Sequence, residues 1–163
     1  MHASIRAVLE RSRSDRKETK RFFQKLKRQT PKDLDREVHA LHQEVFDEID
    51  CLECANCCKT TSPIFRDIDI DRLADHLGIR PAALIKKYLQ LDSEGDYVLQ
   101  SAPCPFLDPD NYCSVYEHRP KACREYPHTS RKNFHQIFHL TIKNMEICPA
   151  VTLIIDKLKR VVH

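Results

Sequence analysis

Cys51-Leu52-Glu53-Cys54-Ala55-Asn56-Cys57-Cys58 is the stretch that decides how this chain is organised, because it packs four of the eight cysteines into eight residues. Free thiols at this density would be open to oxidation unless they shared a partner. Two C-x-x-C steps, Cys51/Cys54 and Cys54/Cys57, have the tight chelating spacing that zinc sites and iron–sulfur clusters share. The stretch therefore predicts a bound metal.

The other four cysteines are dispersed through the second half of the chain. They are Cys104, Cys113, Cys123 and Cys148. The strong turn signal Asp108-Pro109-Asp110-Asn111 predicts that Cys104 and Cys113 approach each other, and a helical turn after Pro120 is expected to place Cys123 beside them. Several histidines close to these cysteines could add a ligand, namely His118, His128, His135 and His139.

We predict that all eight cysteines are metal ligands: Cys51, Cys54, Cys57, Cys58, Cys104, Cys113, Cys123 and Cys148. Adjacent side chains rarely face one mononuclear metal, so Cys57 and Cys58 are expected to serve different metals, to bridge two, or to divide into one ligand and one spare. Cys148, or one of this pair, could instead be a small core residue. A disulfide relay is the other alternative, but the strand–helix setting of a thioredoxin-like unit is missing.

Composition narrows the class of protein. A chain of 163 residues fits one ordinary domain and does not need disulfides for stability. Neither a secretory signal nor a membrane-length apolar stretch is visible, so we expect a cytoplasmic protein in a reducing compartment. Only two glycines are present, which excludes a Rossmann-type or P-loop nucleotide cradle.

Charge is unevenly distributed along the chain. Residues 1–28 carry ten Lys/Arg against three Asp/Glu, which is +7, so the rest carries −4 of a net charge of +3. We therefore divide the chain into a basic N-terminal arm or helix at 1–29 and a single cysteine-cluster domain at 30–163. The arm could contact nucleic acid or simply be a solvated helix face. Its few apolar residues between Glu10 and Arg21 predict only weak amphipathicity.

The remaining elements predict a mostly helical α+β fold with a small antiparallel strand set and cysteine-rich metal-binding loops. A helix should begin at Thr30-Pro31, another should span Ile68–Leu77 and stop at Gly78, and a third should start near Pro81. The strand candidates are Tyr97–Gln100 and the alternating segment Asn133–Lys143, and a final helix starts at Pro149. The two short helices around Gly78 resemble a helix-turn-helix, although their apolar residues also suit an ordinary core.

Four ordered motifs resemble the YkgJ-type cysteine-cluster family, which is described as a zinc- or iron-chelating domain and named for its CxxCxxCC motif. The motifs are Cys51-x-x-Cys54-x-x-Cys57-Cys58, then Asp69-Ile70-Asp71-Arg72-Leu73-Ala74-Asp75-His76-Leu77-Gly78-Ile79 and Pro103-Cys104-Pro105-Phe106-Leu107, followed by Cys113-Ser114-Val115-Tyr116-Glu117-His118-Arg119-Pro120-Lys121-Ala122-Cys123-Arg124-Glu125-Tyr126-Pro127. The likeness covers residues 51–127, with Cys148 as a late member. It implies metal binding and leaves the purpose of the metal open.

Three functions are compatible with these observations. In the first, thiolates hold zinc or iron mainly for folding, and the chain presents a surface to a protein partner. Arg119, Arg124 and Tyr126 would then lie around the thiolates and interact with them without binding the metal. In the second, the chain is an iron–sulfur redox or protein-modification enzyme, since a similar cysteine domain occurs in flagellin lysine methylase. That enzyme would need a non-cysteine position at the metal, for which the nearest candidates are Glu53, Asn56, Tyr126 and His128. The third is a nucleic-acid-associated module that uses the basic arm. The first, which is not enzymatic, is preferred.

Overall fold

The computed structural model describes the backbone of residues 3–162 and the side chains of 5–162. The helices are α1 (Ala3–Ser14), α2 (Arg16–Arg28), α3 (Leu34–Glu48), α4 (Cys51–Cys54), α5 (Asn56–Thr60), α6 (Asp67–Leu77), α7 (Pro81–Tyr88), α8 (Lys121–Glu125), α9 (Phe138–Met145) and α10 (Pro149–Val161). Two strands, β1 (Leu89–Leu91) and β2 (Tyr97–Leu99), and two 3-10 helices, Tyr116–His118 and Phe134–Ile137, complete the described elements. The prediction of a mostly helical α+β fold is confirmed.

The chain forms two compact units. The split unit is built from Met1–Cys54 together with Pro127–His163, and the continuous unit is the single stretch Ala55–Tyr126. The predicted boundary between an arm at 1–29 and a domain at 30–163 stays a prediction. Within the described residues, no helix is both long enough and apolar enough to span a membrane.

The core of the split unit centres on α10, which packs on α1, α3 and α9. Its predicted apolar face is confirmed, and the buried side chains are Val151, Ile154, Ile155 and Leu158. Helix α2 joins this unit through Phe23, whose ring stacks on that of Phe138 with centroids 4.5 Å apart. The segment expected to be weakly amphipathic also buries two polar side chains, because Ser12 donates a hydrogen bond to the Met145 carbonyl and Thr19 accepts one from Lys159.

Two predictions fail in this unit. The helix expected from Thr30-Pro31 begins at Leu34, because the Thr30 hydroxyl instead donates to the Leu26 carbonyl at the end of α2 (3.0 Å). The strand predicted for Asn133–Lys143 is a 3-10 turn followed by α9. Its residues have a helical spacing rather than an alternating one, since the side chains that the segment buries are Phe134, Ile137, Phe138 and Thr141.

Asp35 of α3 caps the Phe134–Ile137 turn from a distant part of the chain. Its carboxylate accepts hydrogen bonds from the backbone N–H groups of Asn133 (2.7 Å) and Phe134 (2.9 Å).

We expect Asp35→Ala to lower the free energy of unfolding by about 1–2 kcal/mol, the usual cost of losing a cap. Urea unfolding followed by circular dichroism measures this. Asp33→Ala is the matched control, because Asp33 is an exposed partner of Arg36 (2.9 Å) and its loss should cost about 0.5 kcal/mol; equal losses would contradict the capping role.

The continuous unit is built on α6, α7 and the β1–β2 hairpin. Gly78 ends α6 in the left-handed conformation (φ 66°), and Pro81 occupies the first turn of α7, both as predicted. The strand at Tyr97 is also confirmed, and its antiparallel partner is β1, with Leu89 opposite Leu99. The core of this unit consists of Phe65, Ile70, Leu73, Ala74, Leu84, Leu89, Leu99, Phe106 and Val115, with Cys104 and Cys113 packed against it.

Candidate metal centre

None of the eight cysteines, all of which the structure describes, forms a disulfide, and the two units divide them unequally. The split unit contains Cys51, Cys54 and Cys148, which we call the three-thiol group. The continuous unit contains Cys57, Cys58, Cys104, Cys113 and Cys123, of which the last four form what we call the four-thiol cluster. The boundary between the units thus falls inside the CxxCxxCC motif.

The backbone of the motif consists of two short helices with one left-handed residue between them. Helix α4 contains Cys51 and Cys54, which are three residues apart and therefore on one side of a helical turn. Ala55 has φ 46° and interrupts the helix before α5, which contains Cys57 and Cys58. The two sulfur atoms of that pair lie 3.9 Å apart. Cys51 is exposed and Cys54 is buried.

Backbone hydrogen bonds bring three members of the four-thiol cluster together. The Cys104 N–H donates to the Cys58 carbonyl at 2.8 Å. The predicted turn then brings the chain back, because Leu107 and Cys113 form an antiparallel bridge and the Ser114 N–H donates to the Phe106 carbonyl at 2.9 Å. The predicted approach of Cys104 and Cys113 is therefore seen, although the two segments share a single bridge rather than a ladder.

Cys123, the fourth member, lies in α8, the predicted helical turn after Pro120. Its N–H donates to the Pro120 carbonyl at 3.0 Å. Burial raises the pKa of the Cys123 thiol to about 12, and negative charge on Cys58, Cys104 and Cys113 adds to that rise. The Cys123 thiol is therefore close enough to the other three for their charges to affect its pKa.

Burial also raises the pKa of the Cys104 thiol, to about 11, and that of Cys113. Cys58 differs, because a hydrogen bond with Cys57 lowers its pKa to about 7 against the opposing effect of burial. The positive charges of Arg119 and Lys59 act in the same direction as Cys57. At neutral pH and without a cation, three of the four thiols are thus protonated and the fourth is partly ionised.

The three-thiol group has a related character. Cys148 precedes α10, and its N–H donates to the Asn144 carbonyl at 2.7 Å. Burial raises the pKa of Cys148 to about 12, and the nearby thiols of Cys51 and Cys54 add to the rise. Cys148 is therefore close enough to Cys51 and Cys54 for their thiols to affect its pKa, and the sequence alone does not predict this proximity.

Arg119 is the predicted supporting residue that the structure places near the thiols. Its guanidinium lies 3.5 Å from the centre of the Tyr116 ring and donates to the Tyr116 carbonyl at 3.2 Å. Its positive charge lowers the pKa of Cys58, and it opposes the rise in the pKa values of Cys113 and Cys123. The supporting roles predicted for Arg119, Arg124 and Tyr126 stay predictions. The ring of His118 stacks on that of His76, with centroids 3.9 Å apart.

Asp69 is the first residue of the second family motif, but the sequence does not predict which groups its side chain contacts. It lies in α6, is 1% exposed, and its carboxylate accepts hydrogen bonds from Arg72 Nη2 (2.8 Å), Arg66 Nε (3.2 Å) and the backbone N–H of Lys121 (3.1 Å). Burial acts to raise the pKa of Asp69, but these hydrogen bonds outweigh it and the pKa is lowered. Asp69 is therefore ionised, and it joins α6 to the segment that leads to Cys123.

The donor set fits a thiophilic cation by its chemistry. Thiolates are the preferred ligands of zinc and of iron in iron–sulfur clusters, and a cation would stabilise the ionised form of thiols that burial keeps protonated. Over the described part of the chain, no three His, Cys, Asp or Glu side chains are already arranged to hold a metal ion. Coordination would therefore require the thiol side chains to rotate toward a common centre.

A helical scaffold with two groups of free thiols defines a cysteine-cluster protein of the metal-chelating class. The model of the CxxCxxCC family, described as a putative zinc- or iron-chelating domain, matches residues 50–148. That match covers more than half of the chain, and the chain belongs to this family. The predicted resemblance is thereby confirmed, and metal chelation is the function that membership indicates. No curated protein and no solved structure matches the chain.

Proposed function

We propose that this chain is a cytoplasmic metal-binding protein in which the four-thiol cluster holds one zinc or iron ion mainly for folding. The observation that supports this most is the convergence of Cys58, Cys104, Cys113 and Cys123 from separate stretches of one compact unit. All four stretches are loops or five-residue helices with little secondary structure of their own. A shared ion would tie them to the core beside which Cys104 and Cys113 already pack.

Charge balance supports a nearby cation in addition to the metal. Four thiolates on a divalent ion carry a net charge of −2, which is costly in a half-buried site. Arg119 supplies one compensating charge, since its field already acts on three of the four thiols. Arg124 and Tyr126 are proposed as further supports.

We propose that the three-thiol group is a second metal-binding position. Cys51, Cys54 and Cys148 would supply three thiolates, which leaves one position for a ligand from elsewhere. Cys57 contacts Cys58 and would be the spare member of the adjacent pair. In this scheme the eight predicted ligands divide into two sites and one thiol that does not coordinate.

Elemental analysis of anaerobically purified protein, together with X-ray absorption at the metal edge, tests the proposal. We expect sulfur-dominated coordination of zinc or iron at one or two ions per chain. Iron accompanied by acid-labile sulfide would instead favour the iron–sulfur alternative. Protein that binds neither metal, even after anaerobic reconstitution, would contradict the proposal outright.

Metal binding should release protons, because the ligating form of cysteine is the thiolate. Cys104 and Cys123 have pKa values of about 11 and 12, and that of Cys113 is also raised, so all three are protonated at pH 7. Binding to the four-thiol cluster should therefore release about three to four protons, and affinity should fall by about a thousandfold or more per unit of decreasing pH. Titration calorimetry in buffers of different ionisation enthalpy measures the number. Release of less than one proton would mean that these thiols do not coordinate.

A further inference from the structure

We propose that Asp69 is a positioning residue for the four-thiol cluster, which it serves by fixing the backbone on both sides of Pro120. This inference rests on the proposed function and adds to it a residue outside the ligand set. Asp69 coordinates nothing in this scheme. It acts through Arg119 and Cys123.

Two hydrogen-bonded contacts from α6 support the inference. They end at Arg119 and Lys121, on either side of Pro120. Asp69 Oδ1 accepts the Lys121 N–H at 3.1 Å and also binds Arg72 Nη2 at 2.8 Å. The same Arg72 nitrogen donates to the Arg119 carbonyl at 2.9 Å. One buried carboxylate thereby holds residue 121 directly and residue 119 through a single side chain.

From residues 119–121, further contacts lead to the segments that contain Cys123 and Cys113. On one side, the Cys123 N–H donates to the Pro120 carbonyl at 3.0 Å, so the position of Pro120 sets the start of the turn that holds the thiol. On the other side, the Arg119 guanidinium lies over Tyr116, whose N–H donates to the Cys113 carbonyl at 3.1 Å. Displacement of residues 119–121 would therefore move a ligand and its compensating charge together.

Burial makes Asp69 suited to this task and poorly replaceable. Its side chain is 0% exposed, whereas those of its partners Arg66 and Arg72 are 52% and 27% exposed. A buried carboxylate loses its hydration, so it is stable only while its hydrogen-bond donors stay in place. The donors thus hold a fixed geometry rather than the variable one of a surface ion pair.

Asp69→Asn tests the proposal because it keeps the size of the side chain and removes its charge. Asp71→Asn is the matched control, since Asp71 lies two residues away on the same helix and is exposed. The readouts are the thiolate-to-metal absorption bands of the full chain loaded with Co²⁺, and the rate at which a chromophoric chelator extracts Zn²⁺. We expect Asp69→Asn to accelerate extraction at least tenfold and to weaken the absorption bands by about a quarter as one of four thiolates is lost, while Asp71→Asn behaves as wild type.

A second variant covers the case in which Asp69→Asn does not fold. Arg72→Met retains the aliphatic part of the side chain but removes the contact with the Arg119 carbonyl, and it should also accelerate extraction. Folded variants that release metal at the wild-type rate with an unchanged Co²⁺ spectrum would overturn the proposal, even if their unfolding temperatures fell, because Asp69 would then only stabilise the fold.

Alkylation of Cys123 separates failure of this inference from failure of the proposed function. If the wild-type chain takes up neither Co²⁺ nor Zn²⁺ nor iron, the proposed function fails. The positioning role is then decided by mass-spectrometric labelling of the metal-free proteins. Faster labelling of Cys123 in Asp69→Asn than in Asp71→Asn supports the positioning role of Asp69, and equal rates overturn it.

Discussion

Cys113→Ser should cost the chain one metal ion and much of the stability of the continuous unit. Serine is close to cysteine in size, so packing against the apolar core of the unit changes little while the thiolate is lost. Structural zinc contributes on the order of 10 kcal/mol to the folding of small zinc peptides. This unit has its own apolar core, so we expect a loss of about 4 kcal/mol and a fall in unfolding temperature of roughly 10 °C. Metal analysis and scanning calorimetry measure the two effects.

A chelator provides the matched comparison for this variant. Removal of metal should lower the unfolding temperature of the wild-type chain more than that of Cys113→Ser, because the variant has already lost the ion of the four-thiol cluster. Cys57→Ser, which alters a thiol outside the four-thiol cluster, should retain that metal. Full thermal stability of the wild-type chain after metal removal would contradict the structural role.

Phe23→Ala should destabilise the split unit by about 3–5 kcal/mol, the usual cost of removing a buried phenylalanine ring. Phe23 is 3% exposed, and its ring contacts those of Phe138 (4.5 Å between centroids) and Phe134 (6.5 Å). For a chain of this length the unfolding temperature should fall by roughly 10 °C. Thermal unfolding followed by circular dichroism measures the shift.

Phe22→Ala is the control for Phe23→Ala, because Phe22 is the neighbouring residue on α2 and is only half-buried. We expect it to cost about 1 kcal/mol. If both variants lost a similarly small amount of unfolding free energy, α2 would not pack on α9. The comparison thus bears directly on whether residues 1–29 act as a separate arm.

Local signals in the sequence predicted most of the helices. Gly78 and Pro81 mark the end of α6 and the start of α7, and the spacing of Ile154, Ile155 and Leu158 gave the buried face of α10. These features depend on backbone conformation and helical periodicity within a few residues. The segment at Phe134 was mistaken for a strand because a 3-10 turn and a helix in succession shift the phase of its apolar residues.

The candidate site was less predictable, because its arrangement depends on contacts between distant residues. The turn at Asp108–Asn111 correctly indicated that Cys104 and Cys113 approach each other. The grouping of Cys148 with Cys51 and Cys54 depends on tertiary packing that no spacing encodes. The sequence does not predict the roles of Asp35 and Asp69 for a similar reason, since an acidic residue in a charged helix suggests exposure and only its distant N–H donors show otherwise.

Along the sequence, the continuous unit lies between the two parts of the split unit, and this order affects how the chain folds during synthesis. All four thiols of the four-thiol cluster belong to the uninterrupted stretch Ala55–Tyr126, whereas the split unit needs α9 and α10 from the end of the chain. A ribosome adds residues from the N-terminus onward, and compact units fold as their last residues emerge. The continuous unit is therefore synthesised before α9 and α10, on which α1 to α3 pack. Under the proposed function, its four thiols can bind an ion at that stage. Metal supply during translation would then act before the rest of the molecule has closed.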